Sequence, residues 1–235
     1  DSLTMDLSRL NWRSIMIIAT SAMMLQQAFS YVCQIVMPIL ADRLAEEFGI
    51  SRGWLGFYLA IQNVMAIIAA ICCGGFILRF GAVRVSQTTL ILMGSSLLVI
   101  ASGQLWLYPI GAILLGAASV STPASSHILA RVCPPKLAPL VFSIKQTGVP
   151  VGALIGGLLL PFLLGVVFYS HVFGQTIRLG HFGAAFVTAL IVFFVAIALQ
   201  PIRNHFDADR KPSTKISFGD VRATMGMVLG NPPLR

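Results

Sequence analysis

Apolar residues gather along this chain into six long runs, and short polar or charged stretches separate the runs. A helix needs about 20 mostly apolar residues to cross the hydrocarbon core of a bilayer, which is ~30 Å thick, because each residue advances the helix by about 1.5 Å. Each run is about that long, and none contains Asp or Glu. We therefore predict six membrane-spanning helices, the first to the sixth span, at residues 15–41, 53–78, 83–102, 105–130, 137–167 and 182–199.

The composition also favours a membrane protein. Hydrophobic residues make up 57% of the chain and charged residues 10%, whereas soluble domains carry about 25% charged residues. The formal net charge of +8 does not favour nucleic-acid binding, because the basic residues are scattered between apolar runs and do not cluster on one face. We expect the lipid bilayer as a partner and no nucleic acid.

The basic residues are distributed unevenly between the two sides of the predicted bundle. Of the 16 Lys and Arg residues, 12 lie on the side that holds the N-terminal segment. The opposite side holds Arg43, Arg52 and Arg178, and Lys145 lies within the fifth span. The positive-inside rule then predicts that both termini are cytoplasmic, in an integral protein of a bacterial inner (plasma) membrane.

The connections between spans are short, so residues 15–200 form one six-helix bundle. Residues 1–14 precede it as a cytoplasmic N-terminal segment. In residues 201–235, Phe218, Val221, Met225 and Val228 recur at helical spacing. This pattern predicts a cytoplasmic linker with an amphipathic helix, leading toward a second half that is missing from this sequence.

The spans lack the groups that catalysis normally needs. All eight acidic residues lie outside them, and the four cysteines have no metal-site spacing. His127 follows two serines, but adjacent residues of a helix do not face each other, and no acid is placed to orient the imidazole. We expect no enzyme activity, no catalytic residue, no cofactor and no bound metal.

The first span carries a polar stripe. Gln26, Ser30 and Gln34 recur every four residues on one helix face, and Gln27 and Tyr31 lie beside them. Polar groups inside hydrocarbon must find partners or line a wet cavity. Since several large amides on one face are costly to satisfy without water or solute, the stripe predicts one wall of a solute-binding site.

The fourth span has a matching polar region around Pro123. Thr122 and Ser126 are candidate solute contacts there, and His127 is a candidate proton site because the spans hold no carboxylate. Hydroxyl groups also bond to neighbouring helices or to carbonyls of their own helix, so a packing role stays open. The likeness of the first and fourth spans is what a 3+3 inverted repeat gives.

Lys145 lies about eight residues into the fifth span, roughly 12 Å from its inner end. A lysine at the centre of a spanning helix costs ~2.5–3.5 kcal/mol on translocon scales. Snorkelling or a contact to a carbonyl would lower this cost, and a bound anion is the alternative counterion. We predict an anionic solute here, with neutral donors from Gln146, Gln62 and Asn63.

Three glycines follow Lys145 at a spacing of four residues: Gly148, Gly152 and Gly156. Such a ladder of small residues permits close contact between helices. Pro150 lies inside the ladder and weakens the helix. We predict a packing contact along the ladder and a bending point at Pro150.

The segment between the second and third spans reads GGFILRFGAVR, and it resembles a signature of the major facilitator superfamily. Gly74, Arg79, Gly81 and Arg84 fit that signature, whereas Leu78 stands where the family has an Asp that latches the inner face. The resemblance implies a chain like the amino-terminal half of a twelve-span transporter. The segment SIKQTGVPVGALIGG in the fifth span is also loosely similar to cyanate and nitrate permeases.

These observations together predict an all-α polytopic membrane protein whose six transmembrane helices form a 3+3 inverted repeat, half of a twelve-helix fold. The predicted function is a secondary active transporter, a permease or symporter, that moves a small organic or inorganic anion by alternating access. The expected partners are that solute and a carboxyl-terminal half of the same transporter. Two alternatives are a six-span module that does not transport, such as an assembly partner or sensor, and half of a drug/proton antiporter.

Overall fold

The computed structural model describes residues 10–170 and 175–211, and within them six helical segments are long and apolar enough to cross a membrane. The first three spans are α1 (Trp12–Phe48), α2 (Trp54–Phe80) and α3 (Ala82–Ala101). The fourth span contains α4 (Tyr108–Ala117) and α5 (Ser121–Val132), the fifth α6 (Ala138–Gln146) and α7 (Gly148–Gly165), and the sixth α8 (Gly180–Ala198) and α9 (Arg203–Phe206). Short 3₁₀ turns at Leu105–Leu107, Ala118–Val120, Pro135–Leu137 and Gln200–Ile202 complete these spans. The six predicted spans and the all-α fold class are confirmed.

Two short strands were not predicted. β1 (Val167–Ser170) pairs antiparallel with β2 (Gln175–Arg178), so that the connection between the fifth and sixth spans forms a hairpin. We call the side of the bundle that carries this hairpin the hairpin face, and the side on which α1 begins and α2 ends the terminal face. The predicted amphipathic helix at 218–228 lies outside the described residues.

The first helix is longer than the apolar pattern predicted. Asn11 caps its start, since its Oδ1 atom accepts a hydrogen bond from the Ser14 amide at 2.8 Å. Gly49, with φ at 62°, ends the helix in a left-handed conformation that glycine adopts at little cost. The helix therefore continues past the predicted span, which ends at residue 41, to Phe48, with exposed acidic residues on its last turns.

The contacts between spans show a two-fold pattern. The first span touches all five others and packs most closely along the fifth, while the second packs along the fourth and the third along the sixth. In a 3+3 repeat the first, second and third spans correspond to the fourth, fifth and sixth. Under this exchange, the contact of the first span with the fifth becomes the contact of the fourth with the second, and the contact of the third with the sixth is unchanged. The contact pattern is therefore consistent with a 3+3 inverted repeat.

Glycines bring backbones together at the first of these contacts. A Cβ atom added to Gly148 would lie 2.7 Å from the Met24 carbonyl oxygen, and one added to Gly152 would collide with the Ala28 carbonyl oxygen. Gly156 faces the Ile35 side chain and not the backbone of α1. The ladder thus lies directly against α1, as small residues allow in membrane bundles.

Prolines interrupt the fourth and fifth spans. A proline lacks the N–H that would bond to the carbonyl four residues earlier, and its ring crowds that carbonyl. Pro150 supplies no amide donor for the Gln146 carbonyl. Accordingly, α6 ends at Gln146, and a turn at Thr147 precedes α7. Pro123 affects Ser119, which lies in the 3₁₀ turn between α4 and α5.

Asp207, directly after the sixth span, caps the start of α3. Its Oδ1 atom accepts a hydrogen bond from the Val83 amide at 2.8 Å and its Oδ2 atom one from the Arg84 amide at 3.0 Å. These are amides that a helix start leaves without helical partners. Gly81, with φ at 95°, leaves the space that Asp207 fills. Burial raises the pKa of the Asp207 carboxyl, and the two amide donors oppose that shift.

Two further contacts hold the same segment against the terminal face. The Lys211 amide donates to the Leu78 carbonyl oxygen at 2.8 Å, at the end of α2. Arg131, at the end of the fourth span, forms an ion pair with Asp209 at 2.6 Å. We call Asp207, Asp209 and Lys211 the terminal clamp, because they join the ends of four spans.

Replacing Gly152 tests the glycine contact. We expect Gly152→Ala to lower the free energy of unfolding by ~1–3 kcal/mol, because the added methyl group forces α7 away from α1. Gly157→Ala is the matched control, since a Cβ atom there meets nothing within 4 Å. Thermal unfolding in detergent measures both variants, and equal destabilisation would contradict the close contact.

Replacing Asp207 tests the clamp. Asp207→Ala leaves two amides without their acceptor, so we expect a loss of ~1–2 kcal/mol in unfolding free energy. Asp209→Ala removes a half-exposed ion pair, and we expect it to lower the free energy of unfolding by less than ~1 kcal/mol. The same unfolding assay compares the two variants, and a larger effect at Asp209 would show that the ion pair, not the helix cap, stabilises this face.

Candidate solute-binding site

Lys145 lies on the last turn of α6 and is only 1% exposed. Its Nζ atom lies 3.3 Å from the Ser126 Oγ atom and 3.5 Å from the Thr122 carbonyl oxygen, both on α5. Across the part of the chain that the structure describes, no ion pair involves Lys145. The ammonium group therefore faces neutral oxygen atoms at distances near the long limit for hydrogen bonds.

A glutamine of the first span extends this group. The Thr122 hydroxyl donates to the Gln27 Oε1 atom at 3.4 Å, and Gln27 is 5% exposed. Three spans thus contribute to one buried polar group, which we call the Lys145 cluster: Gln27, Thr122, Ser126 and Lys145. The glycine ladder makes this possible, because Gly148 lies against the backbone of α1 beside Gln27.

Several buried polar atoms near the middle of the bundle have spare bonding capacity. The Gln26 Nε2 atom donates to the Ser30 Oγ atom at 3.1 Å, and both residues are fully buried. Six side-chain atoms of the described residues are buried with no hydrogen-bond partner, and three of them belong to predicted site residues: Gln26 Oε1, Gln62 Oε1 and His127 Nδ1. Since buried polar atoms are nearly always paired, these atoms are candidates for contacts with water or solute.

The other predicted site residues lie apart from the Lys145 cluster or at the edge of the bundle. Tyr31 and Gln34 are half-buried on α1. The Asn63 side chain is exposed and donates to the Leu59 carbonyl of its own helix at 2.7 Å. Gln146 is exposed although Lys145 beside it is buried, because adjacent helical residues point in different directions.

Two features of the site were missed by sequence reasoning. The Ser125 hydroxyl donates to the Thr122 carbonyl at 2.9 Å, so it shares this oxygen with Lys145. Backbone carbonyls also become available where prolines remove a donor. Pro38 lies within α1 and frees the Gln34 carbonyl, as Pro150 frees that of Gln146. The positions of these prolines were a visible signal for free carbonyls.

Three residues of the motif between the second and third spans, Arg79, Gly81 and Arg84, lie on the terminal face, whereas Gly74 lies within α2. Arg79 lies over the Phe80 ring, 5.4 Å from its centroid. Arg84 is exposed on the first turn of α3, and Gly81 leaves room for Asp207. No carboxylate stands at Leu78, and the acid that caps α3 comes instead from the end of the sixth span.

Comparisons with known proteins agree with this architecture. The family model described as the Major Facilitator Superfamily matches residues 15–234. A curated protein of Planococcus maritimus named "Na(+), Li(+), K(+)/H(+) antiporter" is 31% identical over 145 residues, which cover 59% of this chain and 33% of that protein. The match thus spans about a third of the length of that relative. No solved structure matches the chain.

Replacing Lys145 by a neutral residue of similar length tests whether the lysine serves packing. We expect Lys145→Met to raise the free energy of unfolding by ~1–3 kcal/mol, because it removes a buried charge that only long contacts to neutral oxygens compensate. Lys136→Met, at an exposed position, is the control and should change little. A clear loss of stability in Lys145→Met would show that the lysine is a structural tie.

Proposed function

The chain belongs to the major facilitator superfamily, and from this we propose that it forms one six-helix half of a secondary active transporter. A second half of the same transporter would complete the solute pathway. The proposal is supported by the central position of the first span and by the polar groups that it shares with the fourth and fifth spans.

We propose that the solute is a small organic or inorganic anion that binds at the Lys145 cluster. One observation carries this proposal: the Lys145 ammonium group is 1% exposed and contacts only neutral oxygens of the described residues. A buried charge is costly unless it is paired. An anionic group of the solute would supply that pair through a charge-assisted hydrogen bond. Ser126 and Gln27 would orient it.

We further propose that the terminal face is cytoplasmic and that both termini lie there. Eight basic residues of the described part of the chain lie on or near this face, against three on the side of the hairpin, which are Arg43, Arg52 and Arg178. The eight are Arg13, Arg79, Arg84, Arg131, Lys136, Arg203, Arg210 and Lys211. The positive-inside rule favours this orientation, in a plasma membrane of the bacterial inner-membrane type.

Alternating access requires spans that bend or rock about the solute. The turn at Thr147, which Pro150 imposes, lies two residues after Lys145 and is the proposed bending point. His127 is the proposed proton carrier, because its Nδ1 atom is buried with no partner in the described part of the chain. A movement at Thr147 would shift Lys145 relative to Ser126 and thus couple solute binding to access.

A second candidate function is exchange of alkali cations for protons, and the similarity to the Planococcus maritimus antiporter favours it. The freed carbonyls of Gln34 and Gln146 are of the kind that coordinates cations where a helix is interrupted. A positively charged Lys145 would repel a cation at the same place. Half of a drug/proton antiporter is a further alternative, although the six predicted spans contain no acidic residue.

Transport by the full-length protein in proteoliposomes separates these functions. For an anion carrier, we expect Lys145→Gln to reduce uptake of a panel of small carboxylates, cyanate and nitrate at least tenfold, because the charged partner of the solute is lost. Lys145→Arg should retain part of the uptake, and Gln146→Ala is the control because that side chain lies away from the cluster.

The same vesicles test the second candidate. Sodium, lithium or potassium added outside should dissipate an imposed pH gradient if the protein exchanges cations for protons, and Lys145→Gln should then leave exchange intact or increase it. Anion uptake that Lys145→Gln does not change would refute binding at the Lys145 cluster, and the absence of any anion uptake would refute an anionic solute. No transport in either assay would favour a non-transporting module.

A further inference from the structure

Two grooves run along α3, and they meet at Arg84 on the terminal face. The first groove lies between the second, third and fourth spans and has a volume of about 480 Å³. The second lies between the third and sixth spans and has a volume of about 470 Å³. Arg84 and Thr88 line both grooves, so the two grooves share one end.

Apolar side chains form most of the wall of the first groove, whereas the wall of the second also holds Gln87 and Gln200, whose side chains bond to each other at 3.0 Å. Ile68, Phe76 and Leu92 line the first groove, and Ile91 and Phe193 line the second. The ridge between them is low near Arg84, because Thr88 has a short side chain whose hydroxyl is already bonded to the Arg84 carbonyl at 2.9 Å. Two flexible apolar chains can therefore diverge on either side of Thr88.

The shared end of the grooves is positively charged. Arg84 is exposed, and no ion pair of the described residues involves its guanidinium group. Asp207 accepts a bond from the Arg84 backbone amide, but it forms no ion pair with the side chain. Arg79 adds a second positive charge beside Phe80, which lines the first groove.

We propose that this surface binds one anionic diacyl phospholipid, with its phosphate at Arg84 and one acyl chain in each groove. A guanidinium group pairs well with phosphate, and basic sites between spans on the cytoplasmic side favour anionic headgroups. Lipid fits the grooves better than a protein helix, because a helix about 10 Å across would fill either groove with roughly one turn. The site is separate from the Lys145 cluster and does not depend on the nature of the solute.

The bound lipid would act on the terminal clamp. Its phosphate would lie beside the first turn of α3, which Asp207 caps, and its chains would cover the edges where α3 meets the second and sixth spans. A lipid in this position stabilises the packing of three spans around the clamp.

Lipid titration by native mass spectrometry of the detergent-solubilised protein tests the proposal. The probes are palmitoyl-oleoyl phosphatidylglycerol, phosphatidylcholine with the same chains, lysophosphatidylglycerol and free glycerol 3-phosphate. We expect phosphatidylglycerol to bind most tightly, and Arg84→Gln to weaken it about fivefold. Lys136→Gln is the control, because Lys136 lines neither groove.

Filling the grooves tests the two-chain arrangement. Ile68→Trp narrows the first groove and Ile91→Trp the second, and both side chains are partly exposed on the surface, so folding should be kept. Each variant should lower binding of the diacyl lipid to the level of lysophosphatidylglycerol, whose single chain can still use the other groove.

Four results would overturn the proposal. The first is an equal loss of lipid binding in Arg84→Gln and Lys136→Gln, and the second is equal binding of the one-chain and two-chain lipids to the unchanged protein. The third is displacement of the lipid by glycerol 3-phosphate at the same concentration. The fourth is a second copy of the chain bound in place of lipid.

Discussion

The close contact between α1 and α7 determines where the polar groups of this protein lie. In a bilayer the lipid tails are as apolar as the side chains, so helices associate through tight packing and polar contacts. The glycine ladder lets the two backbones touch, and this fixes α6, one turn earlier, against α5. Lys145 is buried because the three surrounding spans are held together at this depth. Widening the contact would change the surroundings of the lysine before it changed the fold.

The fold was predictable from the sequence because its cause is local to each span. A run of about 20 apolar residues is sufficient to identify a membrane helix, and the depth of Lys145 follows from counting along the fifth span. Helix ends were less predictable, because capping by Asn11 and Gly49, not polarity, ends α1. The cap on α3 could not be predicted at all, because Asp207 is distant in sequence and only the packing of the sixth span brings it to Val83.

The site was predictable in its composition but not in its grouping. The spacing of polar residues on the first span assigns Gln26 and Gln27 to the same site. In the structure, however, Gln26 bonds to Ser30 of its own helix and Gln27 bonds to Thr122 of the fourth span. Asn63 and Gln146 have suitable chemistry but turn away from Lys145, since helical rotation separates neighbours by about 100°. The contacts within the Lys145 cluster are long, at 3.3–3.5 Å, and the proposed binding and release of a solute would make use of the bonding capacity that this leaves.

The clamp also has a consequence for how the protein is made. Asp207 is separated from Val83 by 124 residues, so the ribosome finishes the third span long before the carboxylate that caps it exists. Until the sixth span has left the translocation machinery, the first amides of α3 can bond only to water or lipid headgroups. Closure of this face therefore cannot precede synthesis of the sixth span, and a nascent chain that stops before that span leaves the start of α3 without its cap.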